Sequence, residues 1–242
     1  MKNNKVVLTS MITIGMMSGI IFTNETVHAE GQFGPYTELK TSGPKRNVET
    51  TGKYGLFTKP ERDKSAKTIL SRSIMKRMGT YTLKDRAYYL SHDHRNDTYK
   101  GSRYYFRAYG YRLAADGSIY YRVVTMNGKY RGYVYGGKKL NKFSGGIKHA
   151  QTTTVAQMQS DFDWNWEYYL ANSPVMTAPN YTQYKAKIVT NDYINNGQDR
   201  LQVFKSKVVT RTREGDKFMY VRDLDSKEIK GWTKRVSSDY QL

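Results

Sequence analysis

A polar segment at 91–101, SHDHRNDTYKG, carries the side chains of this sequence that are best suited to metal binding. It places two histidines and two aspartates close together: His92, Asp93, His94 and Asp97. A closed zinc site uses four ligands, and it usually draws a second pair from another part of the chain. The remaining histidines, His28 and His149, supply no such pair. We therefore predict a solvated turn here, with no bound metal and no other cofactor.

The stretch 155–170 is the second place where chemistry is conceivable, because carboxylates lie beside tryptophans. It contains three acidic side chains and two indole rings: Asp161, Asp163, Glu167, Trp164 and Trp166. A glycosidase holds two carboxyl groups at a set separation across the scissile bond. All three carboxylates here lie in one short stretch, and no second carboxylate-bearing loop opposes them. We interpret the stretch as part of an aromatic linker that docks on a neighbouring module.

Motifs for covalent catalysis are missing from the rest of the sequence. There is no Gly-x-Ser-x-Gly turn and no glycine-rich phosphate loop that leads into a helix. The chain has no cysteine, which excludes disulfides and thiol chemistry. Histidines that could act as general bases are few. The sequence therefore predicts a protein that is not an enzyme.

The clearest structural signal is the stretch 103–135, RYYFRAYGYRLAADGSIYYRVVTMNGKYRGYVY. Tyr, Phe, Ile and Val dominate its runs, and these residue types favour strands. The pairs Asp116-Gly117 and Asn127-Gly128 interrupt the runs where tight hairpins need positive φ. Tyr81 to Leu90 adds a leading strand. The composition predicts a mainly β fold with arginines spread along its strands.

This pattern occurs twice. Glu214-Gly215-Asp216 is followed by KFMYVRDLDSKEIKGWTK. The alignment matches Gly117 with Gly215, Tyr120-Tyr121 with Met219-Tyr220, and Gly132-Tyr133 with Gly231-Trp232. An apolar strand precedes each turn, at 104–113 and at 201–209. Two divergent tandem modules are the main structural prediction.

The chain is strongly basic, with a net charge of +19 over 242 residues. Such a surface attracts polyanions, among them nucleic acid, anionic lipid and anionic wall polymer. Residues 1–29 combine a basic start, an apolar core and small residues at Val27-His28-Ala29, which is typical of a secretory signal peptide. Export would remove intracellular nucleic acid from the list of partners.

The predicted organisation follows from these signals. In chain order it is a signal peptide at 1–29, a flexible basic spacer at 30–63, a short amphipathic segment at 64–78, a first module at 79–148, an aromatic linker at 149–173 and a second module at 174–242. The segment at 64–78 has an apolar stripe of only two turns, so we expect it to pack on the first module rather than to bind a membrane.

Four segments resemble the repeat modules of S-layer-like surface proteins of lactic acid bacteria: YRGYVYGGKK (130–139), FSGGIKHAQTTT (143–154), TAPNYTQYK (177–185) and TREGDKFMYVRDLDSKEIKGWTK (212–234). They are also similar to the GW modules of Gram-positive surface proteins, with Gly231-Trp232 as the Gly-Trp pair. The first copy departs from this pattern, since Tyr133 follows Gly132. The resemblance implies SH3-like β-barrels, export, and non-covalent retention on the cell wall through teichoic or lipoteichoic acid.

The predicted function is therefore that of an extracellular, non-enzymatic protein that binds an anionic wall polymer. The candidate polyanion-binding residues are Arg103, Arg107, Arg122, Arg131, Lys217, Arg222, Lys230 and Lys234. The candidate stacking residues are Tyr121, Tyr133 and Trp232. A self-assembling S-layer-like protein, or one that adheres to a host surface, is the alternative, and a wall-targeted enzyme with an unrecognised catalytic part stays open.

Overall fold

The computed structural model describes residues 33–91, 104–158, 160, 162–170, 173–190, 200–225 and 228–238. Gly31–Leu242 form one compact unit. The predicted signal peptide lies outside the described residues, as does most of the polar segment with its two histidines and two aspartates. Within the described ranges no helix has the length and apolar character needed to cross a membrane.

The fold is mainly β, with 41% strand and 9% helix, and it includes a sheet curled into a half-barrel. The described residues contain two α-helices, α1 (Arg72–Gly79) and α2 (Leu83–Ser91), and a 3₁₀ helix at Pro44–Arg46. The first nine strands are β1 (Thr37–Glu38), β2 (Asn47–Thr50), β3 (Leu56–Phe57), β4 (Thr68–Leu70), β5 (Tyr105–Leu113), β6 (Ile119–Thr125), β7 (Arg131–Tyr135), β8 (Ile147–His149) and β9 (Thr153–Val155). The remaining strands are β10 (Tyr169–Leu170), β11 (Val175–Met176), β12 (Ile188–Thr190), β13 (Leu201–Arg211), β14 (Lys217–Asp223), β15 (Lys230–Thr233) and β16 (Val236–Ser237).

The first sheet is antiparallel and has the strand order β4-β3-β7-β6-β5-β2-β8, with β1 also paired to β5. Its centre is the predicted three-stranded stretch. The turn glycines adopt the left-handed conformation that the hairpins need, with φ of 77° at Gly117 and 76° at Gly128. The prediction of strands and turns at 103–135 is thereby confirmed for its described residues.

The second sheet repeats this strand order. Its path β12-β11-β15-β14-β13-β9 follows the same sequence of connections as β4-β3-β7-β6-β5-β2 in the first sheet. The loops before β4 and β12 also share two hydrogen bonds. The amide of Lys67 donates to the Thr58 hydroxyl and the amide of Thr58 to the Lys67 carbonyl, while Thr177 and Lys187 make the same pair. The correspondence between the two strand paths thus starts at β2, near residue 47, well before the strand-rich stretch at 103–135.

Two predictions about local structure are wrong. The segment 30–63, expected to be a flexible spacer, supplies β1, β2 and β3, and Val48 of β2 is fully buried between β5 and β8. Its strands are only two to four residues long, so pairing with neighbours rather than local propensity defines them. The expected strand at Tyr81 to Leu90 is helix α2. Thr82 and Asp85 cap it reciprocally, each side chain accepting a hydrogen bond from the other residue's amide.

Each large sheet packs on its own core. The first core contains Met75 and Met78 of α1, so the segment 64–78 does pack on the first sheet. The second contains Tyr168, with Phe162 and Trp164 packed against it, all from the predicted aromatic linker. A third, smaller cluster joins Tyr105, Met126 and Ala150 to Tyr181 and Tyr184 of the loop between β11 and β12. This third cluster connects the elements of the two sheets.

Candidate polyanion-binding faces

The glycine of each Gly-aromatic pair is required by a close approach of backbone. A Cβ atom at Gly132 would lie 2.4 Å from the Phe57 carbonyl oxygen, and one at Gly231 would lie 2.3 Å from that of Met176. Glycine therefore lets β3 lie close to β7 and β11 lie close to β15. The aromatic residue that follows each glycine occupies an equivalent place in its sheet.

Strand pairing fixes which residues correspond in the two sheets. Arg122 lies opposite Tyr133 in the first sheet, and Tyr220 lies opposite Trp232 in the second. Arg122 therefore corresponds to Tyr220. The sequence alignment that matches Tyr121 with Tyr220 is wrong by one residue, and a shift of one residue moves a side chain to the other face of its sheet.

Tyr121 consequently belongs to the core and not to a binding face. It is fully buried, and its ring centroid lies 4.7 Å from that of Phe143. Its hydroxyl accepts a hydrogen bond of 2.7 Å from the backbone amide of Asn141. Burial raises the pKa of the Tyr121 phenol. The prediction that this ring stacks on a ligand is corrected, since no face of it reaches solvent.

The residues on the opposite side of the first sheet form a group of rings and guanidinium groups. We call it the first aromatic face: Tyr36, Tyr109, Arg122, Arg131, Tyr133 and Tyr184. The guanidinium carbon of Arg122 lies 5.6 Å from the ring centroid of Tyr109 and 5.7 Å from that of Tyr133. Tyr133 is only 7% exposed, so the prediction that its ring stacks on a ligand is corrected: the ring supports Arg122 from within the protein. Tyr36 covers the same group at 6.0 Å. Cation–π contacts of this kind hold the guanidinium in place without neutralising its charge.

Arg131 extends the first aromatic face toward the second sheet. It is exposed, and it donates hydrogen bonds to the hydroxyls of Tyr109 at 3.3 Å and Tyr184 at 2.7 Å. The hydrogen bond to Tyr109 raises the pKa of the Arg131 guanidinium. Its partners are neutral rings, so the charge stays available to an anion.

The second sheet carries an equivalent group, which we call the second aromatic face: Phe204, Lys207, Tyr220, Arg222 and Trp232. The Tyr220 ring meets Trp232 edge to face with 5.5 Å between centroids. The Lys207 ammonium nitrogen lies 4.3 Å from the centroid of Tyr220, and the Arg222 guanidinium carbon lies 5.6 Å from that of Phe204. Both cations are exposed, so this face also combines positive charge with accessible rings.

Lys207 is a member of this face that the sequence analysis does not predict. Strict alternation along a strand would place Phe204 and Lys207 on opposite faces. The pairing of β13 with β14 shifts between Val203 and Val208, and such an irregularity changes the direction of the side chains that follow. The Lys207 ammonium therefore lies 5.4 Å from the Phe204 ring. Sequence alone contains no signal for this shift.

Arg107 is placed differently from the other predicted cations. It is half-buried, and it donates hydrogen bonds to the side-chain oxygens of Asn47, at 2.9 Å, and Gln183. Burial, together with the nearby charge of Arg46, lowers the pKa of the Arg107 guanidinium to about 10. These contacts link the first sheet to the loop between β11 and β12, so the side chain is occupied within the protein.

Two of the other predicted cations of the second sheet, Lys217 and Lys234, are held by contacts outside the second aromatic face. Lys217 donates to the carbonyl of Gln157 at 2.8 Å, and the ammonium of Lys234 lies 2.6 Å from Asp216. Lys230 is exposed and lies directly opposite Arg222 on the neighbouring strand, so its side chain is on the same side of the sheet as the second aromatic face. The predicted cation Arg103 lies outside the described residues.

Acidic side chains near the tryptophans do not assemble a cleft in the described part of the chain. The Asp163 carboxylate accepts a hydrogen bond from the backbone amide of Asn165, and the Glu167 carboxylate forms an ion pair of 3.2 Å with Arg200. Asp161 lies outside the described residues. No group of three or more His, Asp or Glu side chains that could hold a metal ion occurs among the residues described.

The comparisons with known proteins add no identity. No protein family, no curated protein and no solved structure matches this chain. The two aromatic faces are therefore interpreted from their own geometry.

Proposed function

We propose that this protein is a secreted, non-enzymatic protein that binds an anionic cell-wall polymer, such as teichoic or lipoteichoic acid, through its two aromatic faces. The observation that carries the proposal is the recurrence of one arrangement in both sheets. In each, exposed or half-buried cations lie against tyrosine or phenylalanine rings around equivalent strands. The net charge of +19 supports an anionic partner.

A phosphate-bearing polymer fits this arrangement better than an isolated anion. Each Lys or Arg near a dense anionic surface contributes about 1 kcal/mol, and salt reduces the effect. A single face therefore binds weakly. Two faces on one compact unit bind a long chain more tightly, because the second contact forms at a high effective concentration. The partly exposed rings beside the cations, such as those of Tyr36 and Trp232, offer flat surfaces to the sugar or polyol part.

We place the protein at the cell surface. Export through the predicted signal peptide at 1–29 would deliver the protein to the cell surface, and the polymer would retain it there without a covalent bond. Such retention is ionic, so a high-salt wash should release the protein from intact cells.

Binding to purified Gram-positive walls tests the proposal. The protein is incubated with walls that retain teichoic acid and with walls from which it has been removed, over a series of salt concentrations. We expect binding to the first sample at low salt, its loss as salt rises, and little binding to the second. Binding that depends neither on teichoic acid nor on salt would refute the proposal.

A pair of matched variants tests the first aromatic face. Arg131→Gln removes a cation from the first aromatic face. Arg62→Gln removes an exposed cation outside that face, and the Arg62 guanidinium nitrogen lies 2.6 Å from a carboxylate oxygen of Asp116. Both variants lower the net charge equally. We expect Arg131→Gln to weaken wall binding about fivefold, and Arg62→Gln to change it less. Equal losses would show that total charge and not the face determines binding.

A further inference from the structure

A cavity of about 510 Å³ lies where the two sheets meet. One wall is the turn between β6 and β7, with Met126 and Asn127, and the other is the loop between β11 and β12, with Tyr181, Tyr184 and Lys185. This volume is in the range of small-molecule sites. The cavity adjoins the first aromatic face, because Tyr184 belongs to both.

The loop that forms the second wall has departed from its copy in the first sheet. Both loops keep the hydrogen bonds that close them, but the second is one residue longer and contains two tyrosines. Tyr181 and Lys185 have positive φ, 55° and 65°. In the first loop, at 58–67, no residue has positive φ. Left-handed conformations of bulky residues are uncommon and cost free energy, and they occur often at ligand sites.

The chemistry of the cavity wall combines apolar surface, amides and positive charge. Met126 and Met176 are buried. The guanidinium carbon of Arg131 lies 5.9 Å from the ring centroid of Tyr184, and the ammonium nitrogen of Lys185 lies 5.8 Å from the same centroid. Lys187 also lines the cavity, and none of the described lining residues is a carboxylate. The charge complementarity is therefore toward an anion.

A buried hydrogen-bond donor in the cavity wall is independent evidence for a ligand. Asn180 lines the cavity and is 5% exposed. Its side-chain nitrogen donates to no acceptor among the described residues. Buried amide groups usually have a partner, so a ligand rich in oxygen would satisfy a donor that the protein leaves open.

We propose that this cavity binds one sugar- or polyol-phosphate unit of the anionic polymer. The phosphate lies toward Lys185 and Lys187, and the carbon skeleton lies against the rings of Tyr181 and Tyr184. The inference rests on the proposed function and deepens it, because it adds one saturable site to the diffuse contacts of the aromatic faces. Positive charge alone would not distinguish such a unit from another anion. The tyrosine rings and side-chain amides of the cavity wall would, because they also contact the carbon skeleton and its hydroxyl groups.

Titration with a short, defined oligomer of glycerol phosphate tests this site. The protein is residues 31–242, the compact unit, and binding is followed by calorimetry with inorganic polyphosphate of equal charge as the comparison. Ala186→Trp fills the cavity without changing charge. Ala66→Trp is the matched control, since Ala66 and Ala186 occupy corresponding places in the two loops, each donating its amide to the residue three positions earlier.

We expect the oligomer to bind with one-to-one stoichiometry, and Ala186→Trp to weaken it at least about tenfold. Ala66→Trp should leave the affinity unchanged, and polyphosphate should show no saturable site. Equal effects of the two variants, or no effect of Ala186→Trp, would overturn the inference. Wall binding that persists in that case would leave the proposed function intact, whereas loss of wall binding in the unmodified protein would refute the proposed function itself.

Discussion

Arg213 and Glu49 form an ion pair that joins the two sheets, with Nη2 of Arg213 2.5 Å from Oε2 of Glu49. Arg213 lies in the turn between β13 and β14, and Glu49 lies in β2. The guanidinium carbon is also 4.4 Å from the ring centroid of Tyr105 in β5. Lys148 of β8 adds a second contact to Glu49 at 2.9 Å. The sheets are thus fixed to each other by a partly buried charge pair, which matters because binding of one polymer by two faces requires a constant geometry between them.

Glu49→Gln should destabilise the protein most at neutral pH. Burial alone would raise the pKa of the Glu49 carboxyl, but hydrogen bonds from Lys148 and Arg213 outweigh it and hold the pKa below the usual value. Because the pKa of Glu49 is lower in the folded protein than in the unfolded chain, where it is near 4.5, the ionised carboxylate stabilises the fold at pH values above 4.5. This stabilisation is lost as the pH falls through the folded-state pKa. We expect the variant to lose about 3 kcal/mol at pH 7 and less at pH 3, measured by urea unfolding. Glu61→Gln, an exposed change, should alter stability by less than about 0.5 kcal/mol. A penalty that does not depend on pH would contradict this account.

Glu214 should show the opposite pH dependence. It is 1% exposed, one carboxylate oxygen has no hydrogen-bond partner in the described part of the chain, and burial raises the pKa of its carboxyl. A raised folded pKa means that stability is greatest below the unfolded pKa and falls as pH rises toward the folded one. Relative to the wild type, Glu214→Gln should therefore gain about 1 kcal/mol of unfolding free energy between pH 4 and pH 7.5. Urea unfolding of both proteins at the two pH values measures this change, and a constant difference would contradict it.

The two glycines before the aromatic residues should not tolerate even a methyl group. Gly132→Ala and Gly231→Ala would each force a Cβ onto a carbonyl oxygen of the neighbouring strand. We expect each to cost about 1–3 kcal/mol in thermal or chemical unfolding. Gly34→Ala is the control, because its Cβ would lie 3.7 Å from the nearest atom, the Leu113 carbonyl oxygen. If all three variants unfolded alike, the close approach would not be the reason for glycine.

The central hairpins were predictable because local and long-range signals agree there. Long runs of β-forming residues are bounded by Asp-Gly and Asn-Gly pairs, and the glycines have the positive φ that these turns need. Strands β2, β3 and β4 gave no such signal, since each has two to four residues and takes its register from a partner. Helix α2 had one signal, the capping pair Thr82 and Asp85, against a Tyr-Tyr-Leu run that favours a strand.

The two aromatic faces could be predicted only in part, because contacts between distant segments of the chain also determine which side chains reach the surface. The candidate residues Arg122, Arg131, Arg222 and Trp232 follow from residue type and the repeated pattern, whereas Tyr133 is buried. Whether a residue such as Arg107 faces solvent or the other sheet depends on how the sheets meet, which no single module encodes. The strand register, in which Arg122 corresponds to Tyr220, places Tyr121 on the core side and Arg122 on the other side of the sheet. Val123 and Val221 each lie six residues after the turn glycine of their hairpin. The sequence itself therefore contains the register that aligns Arg122 with Tyr220.

Tyr121→Phe should separate a core role from a binding role. The change removes the hydroxyl that accepts the Asn141 amide and leaves the ring in place. We expect a loss of about 1 kcal/mol of unfolding free energy and no change in wall binding, measured by pulldown under conditions where the variant is folded. Tyr184→Phe is the comparison, because its hydroxyl lies on the surface and accepts from Arg131. Weaker wall binding by folded Tyr121→Phe would contradict its assignment to the core.

Lys207→Gln tests whether the position of a cation matters on the second sheet. Lys207 lies over the Tyr220 ring, whereas Lys217 on the adjacent strand donates to a backbone carbonyl away from the rings. Both are exposed, and both substitutions remove one positive charge. We expect Lys207→Gln to weaken polymer binding about fivefold and Lys217→Gln to weaken it less than about twofold. The measurement is the wall-binding affinity at fixed low salt, with unfolding midpoints recorded to show that both variants are folded. A larger loss from Lys217→Gln would mean that the polymer contacts a surface other than the second aromatic face.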